Sequence, residues 1–151
     1  MTPARPRSGW SARLVAGLVA VSVLLASAVC LATELPIFLG AIGIGKAKPE
    51  VEDQLRSLLR AELASADFAR VKTRERYILS ATLLRLDSVQ SPESARATCV
   101  ISVAVLRNGA TLHALINGRA TAEEAQAPAA KRDALRAAVH SAMARVPKAL
   151  R

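Results

Sequence analysis

Residues 97–123 read "ATCVISVAVLRNGATLHALINGRATAE", two alternating runs about a central Asn108-Gly109. Asn-Gly is the preferred two-residue hairpin turn, because both central positions need positive φ. Before it, Cys99, Ile101, Val103 and Val105 share one face at the two-residue period of a strand. After it, Leu112, Ala114, Ile116, Gly118 and Ala120 share one face. Thr111, His113, Asn117, Arg119 and Thr121 take the other, together with Leu115. The hairpin is therefore apolar on one side and wetter on the other, as in an antiparallel sheet covered on a single face.

The flanking segments supply the rest of the sheet and its cover. "RYILSATLLRLDSV", 76–89, is a strand with Tyr77, Leu79, Ala81 and Leu83 on one face and Ile78, Ser80, Thr82 and Leu84 on the other. "SVQSPES", 88–94, reads as a loop from its Ser and Pro content. "DFARVKTRER", 67–76, reads as a short edge strand and a loop. Pro49, Glu50, Glu52 and Asp53 suit the first turn of a helix. Val51, Leu55, Leu58, Leu59 and Leu63 continue that helix to about Ala66 on one apolar face. A last helix, from about Ala129 to Val146, carries the stripe Leu135, Ala138, Val139, Ala142, Met143 and Val146, extended by Leu150. The order predicts an α+β two-layer sandwich: a mainly antiparallel sheet of four or five strands with two amphipathic helices on one face.

The N-terminal residues address the chain. Arg5, Arg7 and Arg13 precede Leu14–Thr33, twenty residues without a charge. Ala26-Ser27-Ala28 is a small-residue cleavage pattern, and residues 1–28 read as a signal peptide with an apolar core of the usual 7–15 residues or so. Retained, residues 14–33 reach the length of about 20 that a membrane anchor needs. The positive flank keeps the N-terminus inside under either reading, so the rest of the chain is exported, periplasmic or anchored facing the periplasm. Cys30 is a third possibility, as a lipidation site, although Val29 stands where a lipobox has a small residue. A disulfide from Cys30 to Cys99 is permitted in such a compartment, and Cys99 reads equally as a small core residue. Residues 29–48 follow as a short apolar strand at Leu35–Leu39 and a Gly-rich loop, and residues 49–151 as the α+β domain.

This order of elements resembles the small periplasmic domain shared by three envelope groups. They are the curli-secretion lipoproteins, the penicillin-binding-protein activator lipoproteins and the N-terminal domain of the Tol-system β-propeller protein. The matching parts are the strand at 35–39, the helix at 49–66, "FARV" at 68–71, and "RYILSATLLRLD" at 76–87. In the last of these the families carry a tyrosine and then a strand ending in a small polar or acidic residue. A long hairpin and a final helix complete the likeness. The resemblance implies an envelope accessory or assembly protein and no enzymatic activity.

Candidate chemistry is sparse. "GAIGIGKA", 40–47, fits the first seven positions of a phosphate-cradling P-loop, but Ala47 stands where a Mg²⁺-holding Ser or Thr belongs. "LLRLD" is a poor partner acid motif, with Arg85 inside it, so a nucleotide enzyme is the remote alternative. Arg70, Lys72, Arg74 and Arg76 alternate, and in an extended chain would form a line of cations about 7 Å apart. They are candidates for contact with anionic lipid or polymer, or guards of an edge strand. The net charge is +9, and +6 without the three leader arginines. Nucleic acid is not expected, since aromatic stacking residues are missing. His113 and His140 have no cysteine or acid at metal spacing. Ser80, Ser102 and Ser141 lie in no nucleophile elbow, and Glu123-Glu124 point apart. No catalytic residue, metal ligand or cofactor is assigned. The expected partners are an envelope protein or a second copy paired along a sheet edge, with an anionic membrane surface as the alternative.

Overall fold

The computed structural model describes residues 37–45, 47, 49–71 and 75–151. The export segment, Cys30, Leu35, Pro36, Lys46, Lys48, Lys72 and Arg74 lie outside the described residues. Leu35–Arg151 form one compact unit. Its elements are β1 (Ile37–Gly43), α1 (Pro49–Ser65), β2 (Tyr77–Gln90), β3 (Ala95–Arg107), β4 (Thr111–Glu124), α2 (Ala127–Met143) and a short α3 (Val146–Ala149). The four strands form one sheet in chain order, with β1 parallel to β2 and the other pairs antiparallel. A parallel pair needs a crossover connection, and α1 is that connection. The fold is α+β, a four-stranded mixed sheet with two main helices packed on it.

One face of the sheet makes the core. Tyr77, Leu79, Ala81 and Leu83 of β2 and Cys99, Ile101, Val103 and Val105 of β3 are all buried there. Leu55 and Leu59 of α1 and Leu135, Val139 and Met143 of α2 meet them from the helical layer. α2 also presents Ala130, Ala134, Ala138 and Ala142 to the core, a row of small residues four apart along one face. That row lets the helix come close to the sheet. The closest approach is at Gly118, where a Cβ would lie 2.1 Å from the Ala138 carbonyl oxygen. The hairpin tip behaves as its sequence demands: Asn108 (φ 52°) and Gly109 (φ 77°) are both left-handed.

The structure corrects several expectations. Gly40–Gly43 belong to β1, not to a Gly-rich loop. The chain stays extended because Gly40 lies flat against β2, where a Cβ would meet Ile78 Cγ2 at 2.5 Å. A register shift between Leu39 and Ile42 absorbs the extra residue. The short edge strand expected within 67–76 is absent from the described part. Residues 67–71 form a turn in which Asp67 Oδ1 accepts from the Ala69 amide at 2.9 Å and Phe68 O from the Val71 amide at 2.8 Å. Phe68 and Val71 are buried, so packing of two apolar side chains wins over extension. Ser88–Gln90 are strand, because pairing with β3 continues through Gln90↔Ala95, and only residues 91–94 remain as the loop. The last helix ends at Met143, and Val146 begins a separate short turn at Pro147.

Alternation puts Leu112 with the core residues of β4, yet it is 57% exposed. The register shifts between Val105↔Ala114 and Leu106↔Leu112, so His113 is an added residue on β4. One inserted residue moves everything on the turn side of it to the opposite face.

Candidate functional site

The register of the four strands defines the face turned away from the helices. Phe38 pairs with Ile78, Ile78 with Leu106, and Leu106 with Leu112. One row across the whole sheet is therefore apolar. The next row adds Ala104 and Leu115, which face each other. Beyond it Gly43, Thr82, Ser102 and Asn117 form a polar row. The far end is charged. Arg85 bonds Asp87, Arg96 meets Glu123 at 3.1 Å, and the Thr98 and Thr121 hydroxyls are 3.4 Å apart. The face thus runs from apolar through polar to charged along the strands.

Of the five exposed large hydrophobic side chains, Phe38, Leu112 and Leu115 stand at the apolar end of this face at 47–60% exposure, while Leu84 falls at the register shift of β2 and Val89 lies opposite Arg96 at the charged end. Single exposed apolar residues need no explanation, but Phe38 and Leu112, joined through Ile78 and Leu106 with Leu115 beside them, form a contiguous set that marks a contact surface. The Arg76 guanidinium stands 5.1 Å from the Phe38 ring centroid, a cation–π contact at the rim of the apolar row. At the other end Glu123 accepts from Ser94 Oγ at 2.7 Å and from Arg96. These hydrogen bonds, with the Arg96 charge, hold its carboxyl below the usual range.

The sequence-named cations are only partly united. Arg70 is exposed on the 67–71 turn, and Arg76 sits beside the apolar row just before β2. Lys72 and Arg74 fall outside the described residues. Arg76 is also fixed through its backbone, whose carbonyl accepts from the Asn108 amide at 2.7 Å. Glu75, between the cations, accepts from the Tyr77 hydroxyl at 3.2 Å and lies 3.6 Å from Arg107.

Cys99 is buried as a free thiol in the middle of β3, and burial pushes its pKa up to about 11. The histidines have partners within the fold. His140 Nδ1 of α2 is 3.0 Å from Glu62 of α1, and His113 Nε2 is 3.0 Å from the Ala149 carbonyl. His140 and Glu62 border a depression of about 280 Å³ that Asp67, Lys148 and Arg151 also line. Among the described residues no group of three or more His, Cys, Asp or Glu is placed to hold a metal ion. None of the described helices is long and apolar enough to cross a membrane. Gly40–Gly43, the first half of the P-loop-like stretch, are committed to β1, and its lysine, Lys46, lies outside the described residues.

The apolar row was not read from the sequence as a unit. The sequence signal for it is Ile78, and for the row beside it Leu115, apolar residues among polar ones on the open face. Only the parallel pairing of β1 and the added His113 bring Phe38 and Leu112 into line with them.

No protein-family profile matches the chain, and no curated protein matches it in sequence. Solved structures do resemble it in shape. A chain from Caulobacter crescentus described as a lipoprotein is 21% identical over 72% of this chain and 86% of its own, with a TM-score of 0.45. A point variant of the PelC dodecamer from Paraburkholderia phytofirmans is 16% identical over 76% and 84%, with a TM-score of 0.48. A minor lipoprotein of Acinetobacter baumannii is 8% identical over 75% and 91%, with a TM-score of 0.46. At these values the functional reading rests on the residues of this chain.

Proposed function

We propose that this chain is an exported, non-enzymatic accessory domain of the cell envelope, acting through contacts made by its free sheet surface. The observation that carries the reading is the row Phe38, Ile78, Leu106 and Leu112, with Leu115 beside it, on the face away from the helices, where Phe38, Leu112 and Leu115 are exposed. Support for export comes from the arginine-flanked apolar run and the Ala26-Ser27-Ala28 pattern. The alternative is an anchored domain that grips anionic lipid or polymer through Arg70, Lys72, Arg74 and Arg76. It draws less support, because Arg76 is engaged on Phe38 and the turn at 67–71 interrupts the line of cations.

The test is photo-crosslinking in the producing cells. A photoreactive residue at Leu112 or Leu115 yields defined protein adducts, and one at Arg132 or Arg136 on exposed α2 does not. Adducts absent from the sheet face, or equal on both faces, sink the reading. Sedimentation with phosphatidylglycerol vesicles that is lost on reversing Arg70 and Arg76 establishes the lipid alternative instead.

A further inference from the structure

We propose that β4 is a seam between two copies of this chain, paired antiparallel about a two-fold axis at Thr121. The inference rests on the reading that the free sheet surface makes the contacts. It adds the partner and the register.

β4 is an outer strand whose sheet neighbour is β3, and it is fourteen residues long. Outer strands are normally guarded by proline, bulges, charges turned inward or a covering element. β4 has its bulge at His113, near its start, and α3 touches that same end through the His113–Ala149 hydrogen bond. From Ala114 to Glu124 the ladder with β3 runs without a shift. The inward residues Ala114, Ile116, Gly118, Ala120 and Ala122 carry no charge, the strand has no proline, and its one inward charge is Glu124 at the last position, which is exposed. The other outer strand, β1, has seven residues and a bulge in its middle. The long unguarded edge is β4, and strand addition is what such an edge accepts.

Charge selects the register. A two-fold axis normal to the sheet keeps the helices of both copies on one side, so only residues of the same face can stand opposite one another. The axis must then pass through a residue position. With the axis at Arg119, that guanidinium faces its own copy, and at Glu123 two carboxylates face each other. At Asn117, Arg119 faces Leu115. At Gly118, Ala120 or Ala122 no opposite charges meet. Only at Thr121 does Arg119 face Glu123 of the second copy, twice by symmetry, with hydroxyl against hydroxyl on the axis. Opposite charges directly across a strand pair stabilise it and like charges oppose it.

The residues are ready for that arrangement. Arg119 is exposed and makes no ion pair among the described residues. Glu123 is bonded by Arg96 and Ser94, and its side chain remains about half exposed. The second copy's Arg119 would continue the row, placing Glu123 between two guanidinium groups. On the helix side Ala120 meets Ala122, both small and half-buried, and Glu124, which is exposed, meets Gly118, which has no side chain, so the two edges can close.

The test uses the full chain with Cys30→Ser, since Cys99 is buried. Under mild oxidation the Thr121→Cys variant forms a disulfide dimer and the Asn117→Cys variant does not. Light scattering gives twice the chain mass for the parent. Arg119→Glu alone and Glu123→Arg alone are monomeric, because each sets like charges across the seam, and an equimolar mixture of the two restores the doubled mass. Equal crosslinking at residues 117 and 121, or no rescue on mixing, overturns the register. A monomeric parent that keeps its Leu112 and Leu115 adducts overturns the seam and leaves the contact face standing. A monomer without adducts removes both.

Discussion

A Cβ on Gly118 would sit 2.1 Å from the carbonyl oxygen of Ala138 and 3.0 Å from the Ala142 Cβ. Both obstacles are parts of α2 close to its backbone, so the helix must shift as a body. Gly118→Ala is expected to lose about 1–3 kcal/mol or more, the range for an overpacked core, read as a fall in the urea midpoint. The same substitution at Gly45 has no atom within 4 Å and suffers only from its φ of +56°, about 1–2 kcal/mol. The sequence put Gly118 on the buried face of its strand. It could not show that a helix backbone lies against it, because that contact joins residues distant in the chain. Cys99 offers a second measurement. Its thiol titrates near 11 in the folded protein against an ordinary 9.0, so the native state holds the proton more tightly than the unfolded chain. The stability this contributes is complete below about pH 9 and is lost as pH rises toward 11. Relative to a Cys99→Ala variant, the parent should lose stability more steeply across that window. Parallel curves would show that the thiol is not shielded.

Among the elements, α2 begins at an unused opportunity. Gln126 is its N-cap, extended at φ −130° and ψ 140°, and makes no side-chain cap hydrogen bond. The first turn holds no acid. Gln126→Asp gives the free amides an acceptor and the helix dipole a negative charge, and should raise stability by about 1 kcal/mol. An unchanged thermal midpoint would mean the amides are already satisfied by solvent. α1 was legible to within a residue, expected over 49–66 and found at Pro49–Ser65. Proline and acids at its start and a periodic apolar face agree there, and local signals of that kind need no tertiary context. Strand limits were less legible. Ser88–Gln90 read as loop because Ser and Gln favour neither state, and the partner residues Ala95–Ala97 keep them extended. The β4 register failed for a different reason. Asn108-Gly109 located the turn, but the count of residues on its far side depends on the bulge at His113, which no periodicity announces.

The whole molecule is two faces of one sheet with opposite energetics. β2 shows the contrast in two adjacent residues: Leu79 is fully buried toward the helices, and Ile78 belongs to the apolar row of the open face. The layered fold was legible because alternation in three strands and periodicity in two helices all demand one covered side. The contact surface was not, because it forms from single residues of four strands that meet only through their register. Its apolar side chains do not hold the fold together. Leu112→Thr with Leu115→Thr keeps strand-favouring residues at exposed positions, and the unfolding free energy should stay within about 0.5 kcal/mol of the parent. Leu79→Ala, from the covered face, should cost about 2–5 kcal/mol. The double variant should also elute earlier from a hydrophobic-interaction column, since its apolar row is cut at the β4 end. If it unfolds as readily as Leu79→Ala, the row is part of the core after all. If it is stable and its retention is unchanged, the surface that binds the column lies elsewhere.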